Sequence, residues 1–316
     1  MADTLMPSFL RSAPRRTRVL SLLAAGLVLV TAGYAQFGGF NAGPRRGGGS
    51  YGRSGEIYVP ESVKITREID SRSVEVPIWT NPVGFERDVF TFTRLRFDKN
   101  GTGRSRGGWT TDLPDADLNL SFRLQQMTSI KTDPNGRTLR ATDPELASYP
   151  FLFAAAPNAI GLSPDEVVAL RKYLLNGGCM IMTDFWGDQE LATMEGMFRQ
   201  VLPGLKFIEL QLDHPLYRAV FQIEEKGQVA QSERGKALEF SPNDPTWDSR
   251  PGYDTRTVGH RALFDEKGRL VALAIFNSDH SDGWEREGES DYYFHRFSEK
   301  IAYPLAINAL VYMMTH

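Results

Sequence analysis

The segment LSPDEVVALRKYLLNGGCMIMTDFWGD, from Leu162 to Asp188, constrains the fold more than any other part of the chain. Ser163 stands where a helix N-cap belongs, Pro164 at the first helical position and Glu166 at the third, which together form a capping box. Val167, Leu170 and Leu174 then fall on one helical face, and Gly177 supplies the stop. The run CMIMT that follows is uninterrupted in its apolar character and too short for a helix. It reads as a strand covered on both faces, as in parallel sheets. A helix delivering the chain through two glycines into such a strand is half of a layered α/β domain.

Neighbouring segments extend this pattern. In DVFTFTRLRF, Val89, Thr91, Thr93, Leu95 and Phe97 alternate with Phe90, Phe92, Arg94 and Arg96, and the residue types suit a strand. A helix is predicted from about Ala116 to Thr128, with Asp115 as its cap. Tyr149 to Ala155 reads as a second buried strand, and a helix is expected around Leu191 to Leu202. GLKFIELQL is expected to be a strand, HPLYRAVFQI a short turn or helix with an extension, and RALFDEKGRLVALAIFN a hairpin turning at DEKG. Ile301, Leu305, Ala309 and Tyr312 mark a closing helix that Pro304 begins or interrupts. The alternation of strand and helix predicts a mostly parallel sheet with helices on both faces.

The rest of the chain falls outside this pattern. Arg11, Arg15, Arg16 and Arg18 precede the uncharged run Ser21 to Gly33, and small residues at Gly33 and Ala35 follow. This is the order of a signal peptide, expected over residues 1–35 with cleavage after Ala35. The apolar run is shorter than the roughly 20 residues of a membrane span, so membrane contact is expected only through this segment if it stays uncleaved. Residues 36–56 read as a Gly/Arg-rich linker and 57–87 as an extension packing on the main domain, 88–316. An exported, periplasmic or extracellular location follows. With 41% hydrophobic residues and a net charge of -3, the chain should bury a substantial core and shows no basic excess suited to nucleic acid.

Cys179, the single cysteine, invites a catalytic reading. A nucleophile elbow, however, places the reactive residue after a strand and before a helix. Cys179 lies after a helix and before a strand, at the edge opposite to where parallel sheets build their sites, so a buried thiol is expected. Asp184 ends the same strand, with Phe185 and Trp186 beside it. Asp213, His214 and Asn277 are expected at comparable strand ends, and the loop after the first strand brings Trp109, Thr110, Asp112 and Asp115. Asp279 and Trp284 follow Asn277. These residues are the expected ligand-binding edge, with Asp112, Asp184 and His214 as candidate catalytic groups. Asp279, His280 and Asp282 lie near one another but without a recognised ligand spacing, so no metal and no cofactor are expected. No phosphate-binding P-loop, dinucleotide fingerprint, HExxH or CxxC occurs.

The ordered segments WTTDLPDADLNLSFRLQQMTS, DPELASYPFLF, LSPDEVVALRKYLLNGGCMIMTDFWGD, LQLDHPLY and NSDHSDGWE resemble the bacterial envelope family called domain of unknown function 4159, from roughly Val89 to the C-terminus. The resemblance implies a flavodoxin-like sheet of the class I glutamine amidotransferase type. It also implies an association with envelope proteins linked to MoxR-type ATPases, and it brings no known reaction. Amidotransferases of this fold use an elbow cysteine, and here the matching turn offers Asp184, so glutaminase activity is not expected. The expected role is non-catalytic binding of an envelope protein or a small or glycan ligand. The alternative is a hydrolase acting on a carbohydrate or peptidoglycan fragment through an Asp/His site.

Overall fold

The structure, a computed structural model, describes residues 57–85, 88–101, 108–248 and 254–316. The predicted signal peptide (1–35), the linker (36–56) and the TGRSRG part of the glycine-rich loop lie outside the described residues. In chain order the strands are β1 (Thr93–Arg96), β2 (Asp98–Lys99), β3 (Arg137–Arg140), β4 (Phe151–Ala155), β5 (Ile160–Gly161), β6 (Cys179–Thr183), β7 (Ile208–Glu209), β8 (Gly259–Phe264) and β9 (Leu270–Phe276). The principal helices are α1 (Asp115–Met127), α2 (Pro164–Leu175), α3 (Gly187–Val201), α4 (Ser232–Ala237), α5 (His280–Glu285) and α6 (Tyr303–Thr315). Seven strands form one sheet in the order β3-β1-β4-β6-β9-β8-β7, and β2 pairs separately with β5. The β3-β1-β4-β6-β9 body is parallel and β8 runs against it. Numbered within that body, the order is 2-1-3-4-5, which is the flavodoxin-like arrangement, with its topological switch between β1 and β4.

Alternation along the strands divides the core. Phe151, Phe153, Cys179, Ile181, Leu273 and Ile275 pack on the side carrying α1 and α6. Leu152, Ala154, Met180, Met182, Ala272 and Ala274 face the side of α2 and α3. Both faces are therefore dry, which explains why β4, β6 and β9 read as unbroken apolar runs. The capping box on α2 is present, with the Ser163 and Glu166 side chains each accepting from the other's backbone N–H. Among the described residues, no helix is long and apolar enough to cross a membrane.

Several local expectations change. The β1 strand is shorter than DVFTFTRLRF, and Phe90 forms only an isolated bridge to Thr132. The α3 helix starts at Gly187, before the predicted Leu191, because Glu190 and the Asn277 side chain accept its first N–H groups at Trp186 and Gly187. GLKFIELQL contributes only the two residues of β7. Pro114, not Asp115, is the α1 cap, and the Asp115 carboxylate is turned to Ser71 Oγ and to the Arg72 N–H at 2.9 Å. Pro304 lies in the first turn of α6, which continues a π-helical stretch, Phe294–Ala302, so the proline does not end the helix. Strand β3, RTLR, had no counterpart in the sequence reading.

Part of the segment 57–85 packs beside β1 and β3. The Arg96 guanidinium donates to the carbonyls of Val63 (2.7 Å) and Val59 (2.8 Å), the Thr138 N–H donates to Lys64 O, and Trp79 Nε1 donates to Thr132 O.

Candidate functional site at the carboxyl edge

Three strand ends meet at the carboxyl edge of the sheet. The loop after β1 carries Asp112, the turn from β6 into α3 carries Asp184, and the turn after β9 carries Asn277 and Asp279. Asp112, Asp184 and Asn277 have φ of 60°, 60° and 57°, in the left-handed region that non-glycine residues seldom occupy. Asx side chains tolerate this conformation best, and all three positions are Asp or Asn.

A buried ion pair holds the first loop. Arg94 in β1 and Asp117 in α1 are both fully buried, with Arg94 Nε 3.0 Å from each carboxylate oxygen. The same guanidinium donates to the carbonyls of Trp109 (3.1 Å) and Thr111 (2.5 Å), immediately before Asp112. One arginine thus neutralises a helix acid and fixes the loop that presents the site.

The second turn is stitched to the third. Thr183 Oγ1 donates to Ser278 O at 3.1 Å and accepts from the His280 N–H, the Asn277 N–H donates to Phe185 O, and Asn277 Oδ1 accepts from the Gly187 N–H at 2.8 Å. Asn277 Nδ2 donates to the carbonyls of Asp254 and Thr257. Asn277 therefore spends its polar atoms on the backbone and orders the edge.

The acids converge on Asp112. Ligand oxygens of Asp112, Asp184 and Asp279 lie within 4.8 Å of one another, and so do those of Asp112, Asp282 and Glu285. Asp279 caps α5, accepting from the Asp282 N–H at 3.0 Å, and Asp282 accepts from the Ser232 N–H at 2.6 Å. Trp186 Nε1 donates to Asp184 Oδ1 at 3.2 Å. Asp184 is only half-buried and opens the cluster to solvent, whereas Asp279, Asp282 and Glu285 are buried. Burial, with the neighbouring charges of Asp112 and Asp282, pushes the Asp184 carboxyl up to about 7. Asp282 rises to about 6, chiefly from burial and then from Asp112, and burial drives Asp279 and Glu285 well above the carboxylate range. Arg286 balances part of this charge, reaching Glu285 Oε2 at 2.7 Å and Asp282 Oδ1 at 3.8 Å while also bonding Glu289 at 2.7 Å.

Of the residues predicted from sequence, Asp112, Asp184 and Asp279 meet, with Trp186 and Asn277 beside them. Asp115 is turned away to Ser71 and Arg72, as described above. Trp109 stacks on Arg96, whose guanidinium lies 4.4 Å from the ring centre. Thr110 is buried and binds the N-terminal segment through the Ile57 N–H. Phe185 packs on Phe276, and Trp284 packs on Phe153. Asp213 and His214 do not join the edge. After the two residues of β7 the chain turns back, His214 Nδ1 accepts from the Leu216 N–H, and its ring packs on Phe264 and Tyr312 at 5.9 and 5.0 Å. Phe264 pairs with Leu270 at the start of β9, so His214 lies toward the amino edge. Glu285 was not anticipated, and Asp282 was considered with Asp279 and His280 only as a metal site without a recognised ligand spacing. The signal was available in D279HSDGWE285, whose acids recur every third residue over two helical turns.

Cys179 sits at the other end of β6. It is 1% exposed, and burial pushes its thiol up to about 12, against the influence of Arg269. Gly177 has φ 112°, and a Cβ at Gly178 would lie 2.4 Å from the Tyr173 ring, so both glycines serve the turn. Arg269 closes it by donating to the carbonyls of Gly178, at 2.9 Å, and Leu174.

The fold and edge define a flavodoxin-like α/β domain with a buried acidic constellation at its carboxyl edge. Residues 91–314 match the family described as Domain of unknown function (DUF4159), and the chain belongs to that family. No curated protein matches the sequence significantly.

Proposed function

We propose that this chain is an exported cell-envelope protein whose amidotransferase-like domain binds a ligand or partner without turning it over, in envelope assembly or maintenance. The basic, apolar and small-residue order of residues 1–35 supports export. One observation carries the binding reading. At the strand-to-helix turn where a nucleophile would stand, the chain places Asp184 among other acids, and its one thiol is sealed at the opposite end of the same strand. An acyl-transfer enzyme of this design needs a thiolate or an activated hydroxyl at that turn. The hydrolase reading asks Asp112, Asp184 and His214 to act together, and the position of His214 beside Phe264 and Tyr312 speaks against it.

The test is binding of the full chain to isolated envelope glycans, together with its cross-linked capture of envelope proteins, compared with Asp184→Asn and Asp112→Asn. The substitutions are expected to abolish a specific interaction while the circular dichroism spectrum is retained. Unchanged binding in both folded variants, or turnover of glutamine or a glycan fragment, would overturn the reading.

A further inference from the structure

The acids at the carboxyl edge are not fully partnered from within the protein. Asp112 is 9% exposed, and its Oδ2 is buried with no hydrogen bond. Glu285 is 1% exposed, and neither of its carboxylate oxygens has a hydrogen bond, although Oε2 lies 2.7 Å from Arg286 Nε as an ion pair. Buried polar atoms are almost always satisfied, and one that is not asks for an ion, a water or a ligand. Asp112 belongs to both acid triads and Glu285 to one of them.

The donor set selects the chemistry. Both triads offer oxygen only, which suits hard cations such as calcium and magnesium better than zinc or copper. His280 belongs to neither triad, and its Nδ1 is engaged with Ser278 Oγ at 3.1 Å. Oxygens on opposite sides of a calcium ion are about 4.8 Å apart, twice a bond of roughly 2.4 Å, and for magnesium the span is about 4.2 Å. The oxygens of each triad already lie within 4.8 Å. Arg286 divides its charge among Glu285, Asp282 and Glu289 and leaves a net negative cavity. Half-buried Asp184 gives an ion a way in from solvent.

We propose that this edge is a binding site for a hard divalent cation, calcium or magnesium. Asp112 is the shared ligand, with Asp184 and Asp279 on one side and Asp282 and Glu285 on the other. The inference rests on the reading of the carboxyl edge as a binding site and names what is bound there first.

The experiment is isothermal titration of the purified, chelator-treated full chain with calcium chloride and with magnesium chloride, at constant ionic strength, alongside thermal unfolding. Saturable binding of at least one cation is expected, with a rise in Tm that potassium chloride does not reproduce. Asp112→Asn weakens binding by about tenfold or more, since the loss of even an outer partner of a metal ligand costs that much. Glu285→Gln serves the same purpose should Asp112→Asn fail to fold, and Asp165→Asn, on the exposed start of α2, binds as the parent does. Absence of saturable binding of either cation, or folded Asp112→Asn and Glu285→Gln proteins that bind like the parent, overturns the proposal. The two readings fail separately. Envelope capture that depends on Asp184 without cation binding sinks only the cation site, and cation binding without any envelope interaction sinks only the envelope reading.

Discussion

The two ends of β6 are five residues apart and follow opposite rules. At Cys179 every group is spoken for: the thiol is buried among apolar side chains, its backbone N–H reaches Pro150 O at 2.8 Å, and Arg269 closes the preceding turn. At Asp184 the backbone takes an uncommon conformation, like charges crowd together and buried oxygens lack donors. The first end has the features of a part optimised for stability. The second retains features that cost stability, and such departures gather where a protein meets something else. The more conspicuous residue type, a lone cysteine after two glycines, therefore marks the inert end.

The contrast can be broken most severely through Arg94. Arg94→Met leaves Asp117 as a buried unpaired charge and releases the carbonyls of Trp109 and Thr111. A loss of about 3 to 5 kcal/mol in chemical denaturation is expected.

The amino end is sharpened by thiol chemistry. Burial raises the Cys179 thiol from 9.0 to about 12, so its thiolate fraction in the fold is lower by about a thousandfold. Iodoacetamide should leave the native protein unlabelled at mild alkaline pH and modify it once denatured. Rapid native labelling would erase the distinction between the ends.

The carboxyl end is sharpened by pH, with a chelator present. The Asp184 carboxyl titrates from 3.8 when unfolded to about 7 in the fold. Its protonated form is thus favoured by folding. The stability it contributes is full below about 3.8, declines as pH rises and is gone once pH has passed about 7. Asp184→Asn should flatten this decline and gain on the order of 1 to 2 kcal/mol at neutral pH, allowing for partial exposure and shared protons. Cys179→Ala should leave the slope between pH 4 and about 8 unchanged, because its thiol stays protonated throughout. The smallest expected effect is that of Ser163→Ala, which removes one capping hydrogen bond at the far end of α2 and costs about 1 kcal/mol in thermal unfolding.

The helix and strand from Pro164 to Thr183 could be read from sequence because local signals agree there: a capping box, a left-handed glycine and an apolar run with both faces covered. Strand β3 could not, since RTLR is four residues long and half arginine. Arg140 is accommodated by partners remote in sequence, Glu61, Asp98 and Glu166, and Arg137 by the nearer Asp133 and Tyr149. The rule that sites lie beyond the carboxyl ends of parallel strands located Asp112, Asp184 and Asp279. It misplaced His214, because a two-residue strand followed by a reversal does not carry the chain to that edge. Glu285 escaped because acids are rarely buried, and a rule based on typical exposure assigns it to the surface, whereas Asp282 stood beside Asp279 and His280 in a spacing that matches no recognised ligand pattern.

The contact between Gly283 and Ala302 has a consequence for how the edge is held together. A Cβ at Gly283 would lie 2.6 Å from that of Ala302, so the short helix bearing Asp282 and Glu285 rests directly on the helical stretch leading into α6. Asn119 of α1 donates to Trp284 O from the other side, at 2.7 Å. Asn119 of α1 and Ala302, at the end of the π-helical stretch, thus clamp the acidic turn. The turn that carries Asp282 and Glu285 is therefore held by backbone and Cβ contacts on two sides, so a bulkier residue at position 283 would push these carboxylates out of register with Asp112.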